Sequence, residues 1–222
     1  MIDGLKLDKR LRSIVDSVAG DALADVGCDH GKVSIACLAE GRVKSVIACD
    51  ISQKSLQKAV DLAKLFGVDG IQFRVGDGLS VIADGEVDCV VIAGMGGSEI
   101  MNILANMPKG VERLVLSPQK NIVELREFLS QSGYYIAKDI IVEESGKFYV
   151  VIKAETSKGR DCSLDRAQTL LGGVEQTDDF EKYMAHIQQK YDTLSRQSPS
   201  CRQCRLYEEM LALAKERERC SK

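Results

Sequence analysis

The chain has 222 residues, of which 45% are hydrophobic and 28% charged, the make-up of a globular protein with room for one sizeable α/β domain and a small appendage. Its formal net charge of −3 argues against gross electrostatic capture of nucleic acid but leaves room for a local basic patch. No apolar run is long enough to span a membrane, and the opening MIDGLKLDKRLRSIV lacks a signal peptide's apolar core, so a cytoplasmic protein without membrane contact is expected.

Leu7, Leu11, Ile14, Val15 and Val18 recur at helical spacing and predict a helix over residues 5–18. Its other face carries Lys6, Lys9, Arg10 and Arg12, either a solvated surface or a cluster that touches a polyanion or a cofactor carboxylate. A short strand over 23–26 runs into the turn Gly27-Cys28-Asp29-His30, and Gly31 opens a helix that ends at Gly41. A second strand, 45–51, carries Asp50 near its end, and Ser52 caps a helix with Leu56, Ala59, Val60 and Ala63 inward. A third strand, 71–75, leads into Gly76-Asp77-Gly78-Leu79. The fourth, 87–93, is apolar throughout, as a central parallel strand should be, and runs into Gly94-Met95-Gly96-Gly97 and another helix. The fifth, 113–116, is followed by Ser117-Pro118-Gln119 and a helix to about residue 132. Segments 134–143 and 148–154 form a closing antiparallel pair.

This alternation predicts a doubly wound, mostly parallel seven-stranded sheet over residues 1–156. From residue 157 to 222 the composition turns polar. Phe180, Tyr183, Ile187, Tyr191 and Leu194, then Cys204, Tyr207, Leu211 and Ala214, predict two amphipathic helices around a bend at Ser198-Pro199-Ser200. Such a hairpin cannot bury its own stripe, so it must lean on the main domain, a partner chain or a substrate. The eight cysteines include a single C-x-x-C, Cys201 and Cys204, which lacks the two further ligands of a zinc site; no metal is expected.

The chemistry is concentrated where strands end. Gly27, Asp50, Asp77 and Gly94 fall at successive strand C-termini, the edge along which ligands bind in such sheets. A dinucleotide fingerprint would place a second glycine at Asp29, whose carboxylate would instead repel a pyrophosphate. A P-loop is excluded too, because the glycine spacing is one residue short and Val33 replaces the Ser/Thr that binds magnesium. A ligand with a positive charge and no phosphates, such as S-adenosylmethionine, fits better. Asp50, 23 positions beyond Gly27, stands where an acidic residue reaches ribose hydroxyls. Asp77 is placed to accept from an adenine amino group, or serves only as a turn residue.

The stretches DVGCDHGKV, GDGL and IAGMGG, with LDKRL before them and LSPQ after, resemble the bacterial tRNA (adenine(22)-N1)-methyltransferase family over residues 5 to about 155. The N/D-P-P-aromatic motif of most methyltransferases of nucleobase amines is not present after the fourth strand. The resemblance implies S-adenosylmethionine as cofactor and S-adenosylhomocysteine as product. Gly27, Asp50, Asp77, Gly78 and the Gly94–Met95 turn would bind it, and Arg10, Asp25, Ile51, Gly76 and Ala93 complete the cofactor-side set. It further implies Asp29 as the catalytic candidate, Lys9, His30, Ser117, Pro118 and Gln119 on the substrate side, tRNA as partner, and a monomer or weak homodimer. Two positions depart from the family pattern: Cys28 stands for a serine, and Ser117-Pro118-Gln119 for Q-P-N.

Adenine N1 has an in-plane lone pair and no proton, so its methylation needs no general base there. It needs the base swung out of its pairing and a fixed carboxylate to stabilise the positive charge that develops on the ring. Asp29 suits that role; alternatively it orders the turn or meets the methionine amino group. His30 would orient Asp29, touch phosphate, or only bond at the helix start. A methyltransferase of small molecules or of another RNA, and a non-catalytic cofactor-binding protein, stay open as alternatives.

Overall fold

The computed structural model describes residues 4–173 and 177–220. Five parallel strands, β1 (Ala22–Val26), β2 (Ser45–Asp50), β3 (Ile71–Val75), β4 (Cys89–Ala93) and β5 (Arg113–Ser117), join β6 (Tyr134–Glu144) and β7 (Lys147–Thr156) in one sheet. The order is β3-β2-β1-β4-β5-β7-β6, with β7 antiparallel to both of its neighbours. The expected fold class and closing hairpin are therefore both present. After β3 the chain returns to lay β4 beside β1, and this reversal opens a crevice outside the strand C-termini.

Strand β4 begins two residues later than its apolar run predicts, because Asp88 is used as a pin rather than in the ladder. Its carboxylate accepts the Ala22 N–H at 2.9 Å and pairs with Arg113 at 2.9 Å, fastening the starts of β1, β4 and β5 together.

Helices α1 (Lys9–Ser17), α2 (Lys32–Ala39), α3 (Gln53–Leu65), α4 (Gly97–Leu104) and α5 (Ile122–Gln131) cover the sheet. Alternation along each strand divides the core into two layers. Leu23, Val46, Val91, Val115 and Val151 face Ile14, Val15 and Cys37 on one side. Ile92, Leu114, Leu116 and Ile152 face Ile100, Leu125 and Leu129 on the other.

The polar tail holds the predicted hairpin, α7 (Asp178–Gln197) and α8 (Arg202–Cys220), with the bend between them at residues 198–201. Cys201 accepts the Cys204 N–H on Sγ at 3.2 Å, so the first cysteine of the C-x-x-C caps α8. A short helix that the periodicity did not reveal, α6 (Arg166–Leu171), precedes the hairpin and starts with an Asp165–Gln168 capping box. The tail packs on the main domain: Leu170, Leu171, Phe180, Ile187, Met210 and Ala214 share the core layer of Ile92 and Ile100. The sequence boundary at 156/157 thus coincides with the end of β7, yet both segments draw on one core.

That junction is locked by a buried ion pair. Arg126 of α5 grips Asp139 of β6 through two hydrogen bonds, at 2.7 and 3.1 Å, and donates to the carbonyls of Thr169 and Leu170 at the end of α6. No helix among the described residues is long and apolar enough to cross a membrane. The described residues also contain no cluster of three or more His, Cys, Asp or Glu suited to a metal ion.

Candidate active site

Asp25, the penultimate residue of β1, is buried, and its Oδ2 accepts both the N–H of Ser34, at 3.2 Å, and the Ser34 hydroxyl, at 2.6 Å. Ser34 is in the first turn of α2, whose N-cap is Gly31, a residue in the left-handed conformation with no side chain to offer. Asp25 therefore caps α2 from the strand behind it. Burial pushes its carboxyl up to about 6, against the partial relief of the Ser34 bonds. The sequence placed Asp25 with the cofactor contacts; the structure turns it into the fold beneath the turn, as a positioning group.

The turn itself is tied to β2. The N–H groups of Gly27 and Cys28 both donate to the Cys49 carbonyl, at 2.8 and 3.1 Å. Gly27 has φ +69°, the left-handed conformation that glycine adopts without strain, and the Met95 side chain lies over it, its Cε 2.3 Å from where a Cβ would stand. Asp29 has φ +46°, a conformation that Asp tolerates better than most residues, and its N–H donates to Asp50 Oδ2 at 3.3 Å. The other Asp50 oxygen accepts the Ser52 N–H at 2.8 Å. The exposed Asp29 carboxylate stands 3.6 Å from His30 Nε2, an ion pair only when the imidazole is protonated.

Beside this turn, Gly76 donates its N–H to the Asp50 carbonyl at 3.1 Å, and Asp77 is exposed at the end of β3. Ile51 and Val75, at the ends of neighbouring strands, are 73% and 46% exposed. Open apolar side chains among polar strand ends are what an adenosyl group needs: flat contact for the base, acceptors for the hydroxyls and amine.

On the other side of the crevice two loops are stitched together. Gly94 N–H donates to the Ser117 carbonyl at 3.1 Å, Gln119 N–H to the Met95 carbonyl at 2.9 Å, and Gly97 N–H to the Lys120 carbonyl at 2.8 Å. Gln119 is exposed, Pro118 and Ser117 are buried, and Ala93 pairs with Ser117 at the strand ends. One edge thus collects Gly27, Asp29, His30, Asp50, Ile51, Gly76, Asp77, Gly78, Ala93, Gly94, Met95 and Ser117-Pro118-Gln119. Among the basic residues of α1, Arg12 is held by Glu40 at 2.7 Å, the backbone N–H of Lys9 donates to Glu144 at 2.8 Å, and the Arg10 guanidinium stands over the Tyr149 ring at 5.1 Å.

From Pro118 and Gln119 a cleft of about 1230 Å³ runs between the start of α5, the β6–β7 turn and the α7–α8 hairpin. Lys120, Lys147, Lys190, Arg202 and Arg205 line it, and among the described residues none of these five forms an ion pair. Of its carboxylates, Glu209 is taken by Arg166 at 2.6 Å. Lys190, Arg202 and Arg205 flank the bend between α7 and α8, whereas Lys120 and Lys147 come from distant parts of the chain and join them only through the fold.

Known proteins match the chain over most of its length. A family model described as a methyltransferase domain matches residues 7–152. A tRNA (adenine(22)-N(1))-methyltransferase of Bacillus subtilis is 37% identical over 166 residues, 72% of this chain and 69% of that protein. The crystal structure of the B. subtilis M1A22 tRNA methyltransferase TrmK superposes with a TM-score of 0.75 at 31% identity, covering 96% of this chain and 98% of that one. Sp1610 of Streptococcus pneumoniae, solved in complex with S-adenosyl-L-methionine, gives a TM-score of 0.79 at 29% identity over 93% of this chain and 100% of that one. The chain, with a methyltransferase sheet, a Gly27–His30 turn braced on Asp50 and a packed helical tail, belongs to the tRNA (adenine(22)-N1)-methyltransferase family.

Proposed function

We propose that this protein transfers a methyl group from S-adenosylmethionine to N1 of an adenosine in tRNA, at position 22 as the B. subtilis relative's name states for that enzyme. The observation that carries the reading is the placement of Asp29: its backbone is held by Asp50 on the cofactor side, while its carboxylate is exposed at the crevice beside His30.

Gly27, Asp50, Ile51, Gly76, Asp77, Gly78, Ala93, Gly94 and Met95 would hold the cofactor, which supplies an electrophilic methyl group on a sulfonium. Asp50 accepts from ribose hydroxyls, Asp77 from the adenine amino group, and Ile51 with Val75 covers the purine. Asp29 accepts from the N6 amino group of the target adenosine and stabilises the positive charge that N1 methylation brings to that ring. No proton has to be removed from N1. Gln119 and His30, exposed beside this point, contact the substrate. The basic cleft under the hairpin takes the RNA backbone, where phosphate contacts give affinity without reading sequence. That cleft favours an RNA over a small-molecule acceptor.

The test is methyl transfer from labelled S-adenosylmethionine to unmodified bulk tRNA, followed by nucleoside analysis. Label recovered as 1-methyladenosine supports the reading; a protein that binds the cofactor yet yields none refutes it.

A further inference from the structure

Among the arginines of the sheet domain and α6, Arg12, Arg42, Arg74, Arg113, Arg126, Arg160 and Arg166 each pair with a carboxylate. Arg10 is the exception among the described residues there: its guanidinium lies over Tyr149, 5.1 Å from the ring centroid. Tyr149 is on β7, near the end that projects past the β5 C-terminus, since Leu116 pairs with Ile152. Three strand spacings, about 14 Å, separate β7 from β1, so Arg10 stands far from the cofactor-side turn.

The pair flanks the acceptor half of the crevice instead. Only β5 separates β7 from the Gly94–Met95 turn, two strand spacings or about 10 Å, so Tyr149 stands on the acceptor side of that turn. The strand end between them is Ser117. One step along the ladder from Leu116–Ile152 brings Ser117 opposite Val151, and Tyr149 follows two residues on, on the same face. Ser117 is 1% exposed, and its Oγ is the buried side-chain polar atom that finds no hydrogen-bond partner among the described residues. An arginine that pairs with no carboxylate, laid over a half-buried ring that lines the cleft, offers a flat cationic surface to a ligand.

We propose that Tyr149 and Arg10 form the stacking platform for the flipped adenosine, with its N1 edge turned toward Met95 and Asp29 and Ser117 beneath it. This rests on the tRNA adenosine reading above and assigns Arg10 to the acceptor base rather than to the cofactor. Aromatic rings and guanidinium planes are the two side-chain surfaces on which proteins stack unpaired bases. Arg10 over Tyr149 offers both in one stack.

The experiment compares Tyr149→Ala, Tyr149→Phe, Arg10→Lys and Arg10→Ala in tRNA methylation, with S-adenosylhomocysteine affinity and thermal melting measured alongside. A tRNA transcript carrying 2-aminopurine in place of the target adenosine reports stacking directly. Tyr149→Ala and Arg10→Ala should lower kcat/KM for tRNA roughly 10- to 100-fold, Tyr149→Phe should retain activity, and Arg10→Lys, charged but without a plane, should fall between. Quenching of 2-aminopurine by the wild type should be lost in Tyr149→Ala, with cofactor affinity unchanged. Unchanged kcat/KM and unchanged quenching in both alanine variants would overturn the platform while leaving the methyltransferase reading intact. Matched losses of melting temperature and cofactor affinity would also overturn it, because they would mark the pair as scaffold. A wild type that makes no 1-methyladenosine would instead sink the underlying function.

Discussion

Asp25 and Ser34 meet below the cofactor turn, where one carboxylate oxygen takes both the backbone N–H and the hydroxyl of the serine. This contact sets the direction of α2 relative to β1, and so the shape of the Gly27–His30 turn between them. It also makes the turn sensitive to pH. In the unfolded chain the carboxyl titrates near 3.8, whereas burial raises it to about 6 in the fold. The folded state holds the proton more tightly, so the associated stability is full below about pH 3.8 and is lost as pH rises through 6. The loss amounts to ~3 kcal/mol. Asp25→Asn cannot ionise, so between pH 4 and 7.5 the unfolding free energy of the wild type should fall relative to that of the variant. Parallel curves from denaturant titrations at several pH values would show that Asp25 is not the group responsible.

Asp29 calls for a variant that keeps the backbone. Alanine at φ +46° would add strain, whereas asparagine tolerates the left-handed region and removes only the charge. Asp29→Asn should lower kcat for tRNA methylation by roughly two orders of magnitude, while S-adenosylhomocysteine affinity changes by no more than a few-fold. Isothermal titration beside single-turnover kinetics separates the two. A parallel loss of cofactor affinity would make Asp29 a cofactor contact.

How much of this was legible in the sequence depends on the range of each interaction. Strand ends were legible because periodicity and glycine turns are local: Gly27, Asp50, Asp77 and Gly94 reach one edge as the alternation requires. The Asp165–Gln168 capping box was also present in the sequence, but α6 is too short to show an apolar period. What could not be read is who faces whom across the fold. Asp25 looked like a ligand because its position in the chain is next to the turn, while its side chain points into the core. Arg10 and Tyr149 are far apart in sequence and meet only because β7 is inserted between β5 and β6.

The Arg126–Asp139 pair is of the same non-local kind, with side chains 3% and 1% exposed. Removing one partner leaves the other charge buried and unpaired, which costs about 3–5 kcal/mol. Arg126→Met should therefore destabilise the protein by that amount and, because Arg126 also holds the Thr169 and Leu170 carbonyls, release α6 first. Hydrogen exchange in residues 166–171 should accelerate more than in β1 or β4. Uniform acceleration throughout the chain would show that the pair supports the whole fold rather than the junction.

The cleft beneath the hairpin makes a prediction about salt. Each phosphate neutralised by a protein cation releases counterions, so tRNA affinity should fall steeply as ionic strength rises. Replacing Lys190, Arg202 and Arg205 together by glutamine removes three of the unpaired cations that line the cleft and leaves the strand-end site untouched. KM for tRNA should rise, and the slope of log affinity against log salt should become shallower by roughly 2–3. Cofactor affinity should not move, because none of the three residues lies at the ends of β1–β4. The loss should be similar for every tRNA that the wild type accepts, since backbone contacts position an RNA without reading its bases. An unchanged salt slope with an unchanged KM would place the RNA on another face and reduce the hairpin to a packing element for Leu170, Phe180 and Ile187.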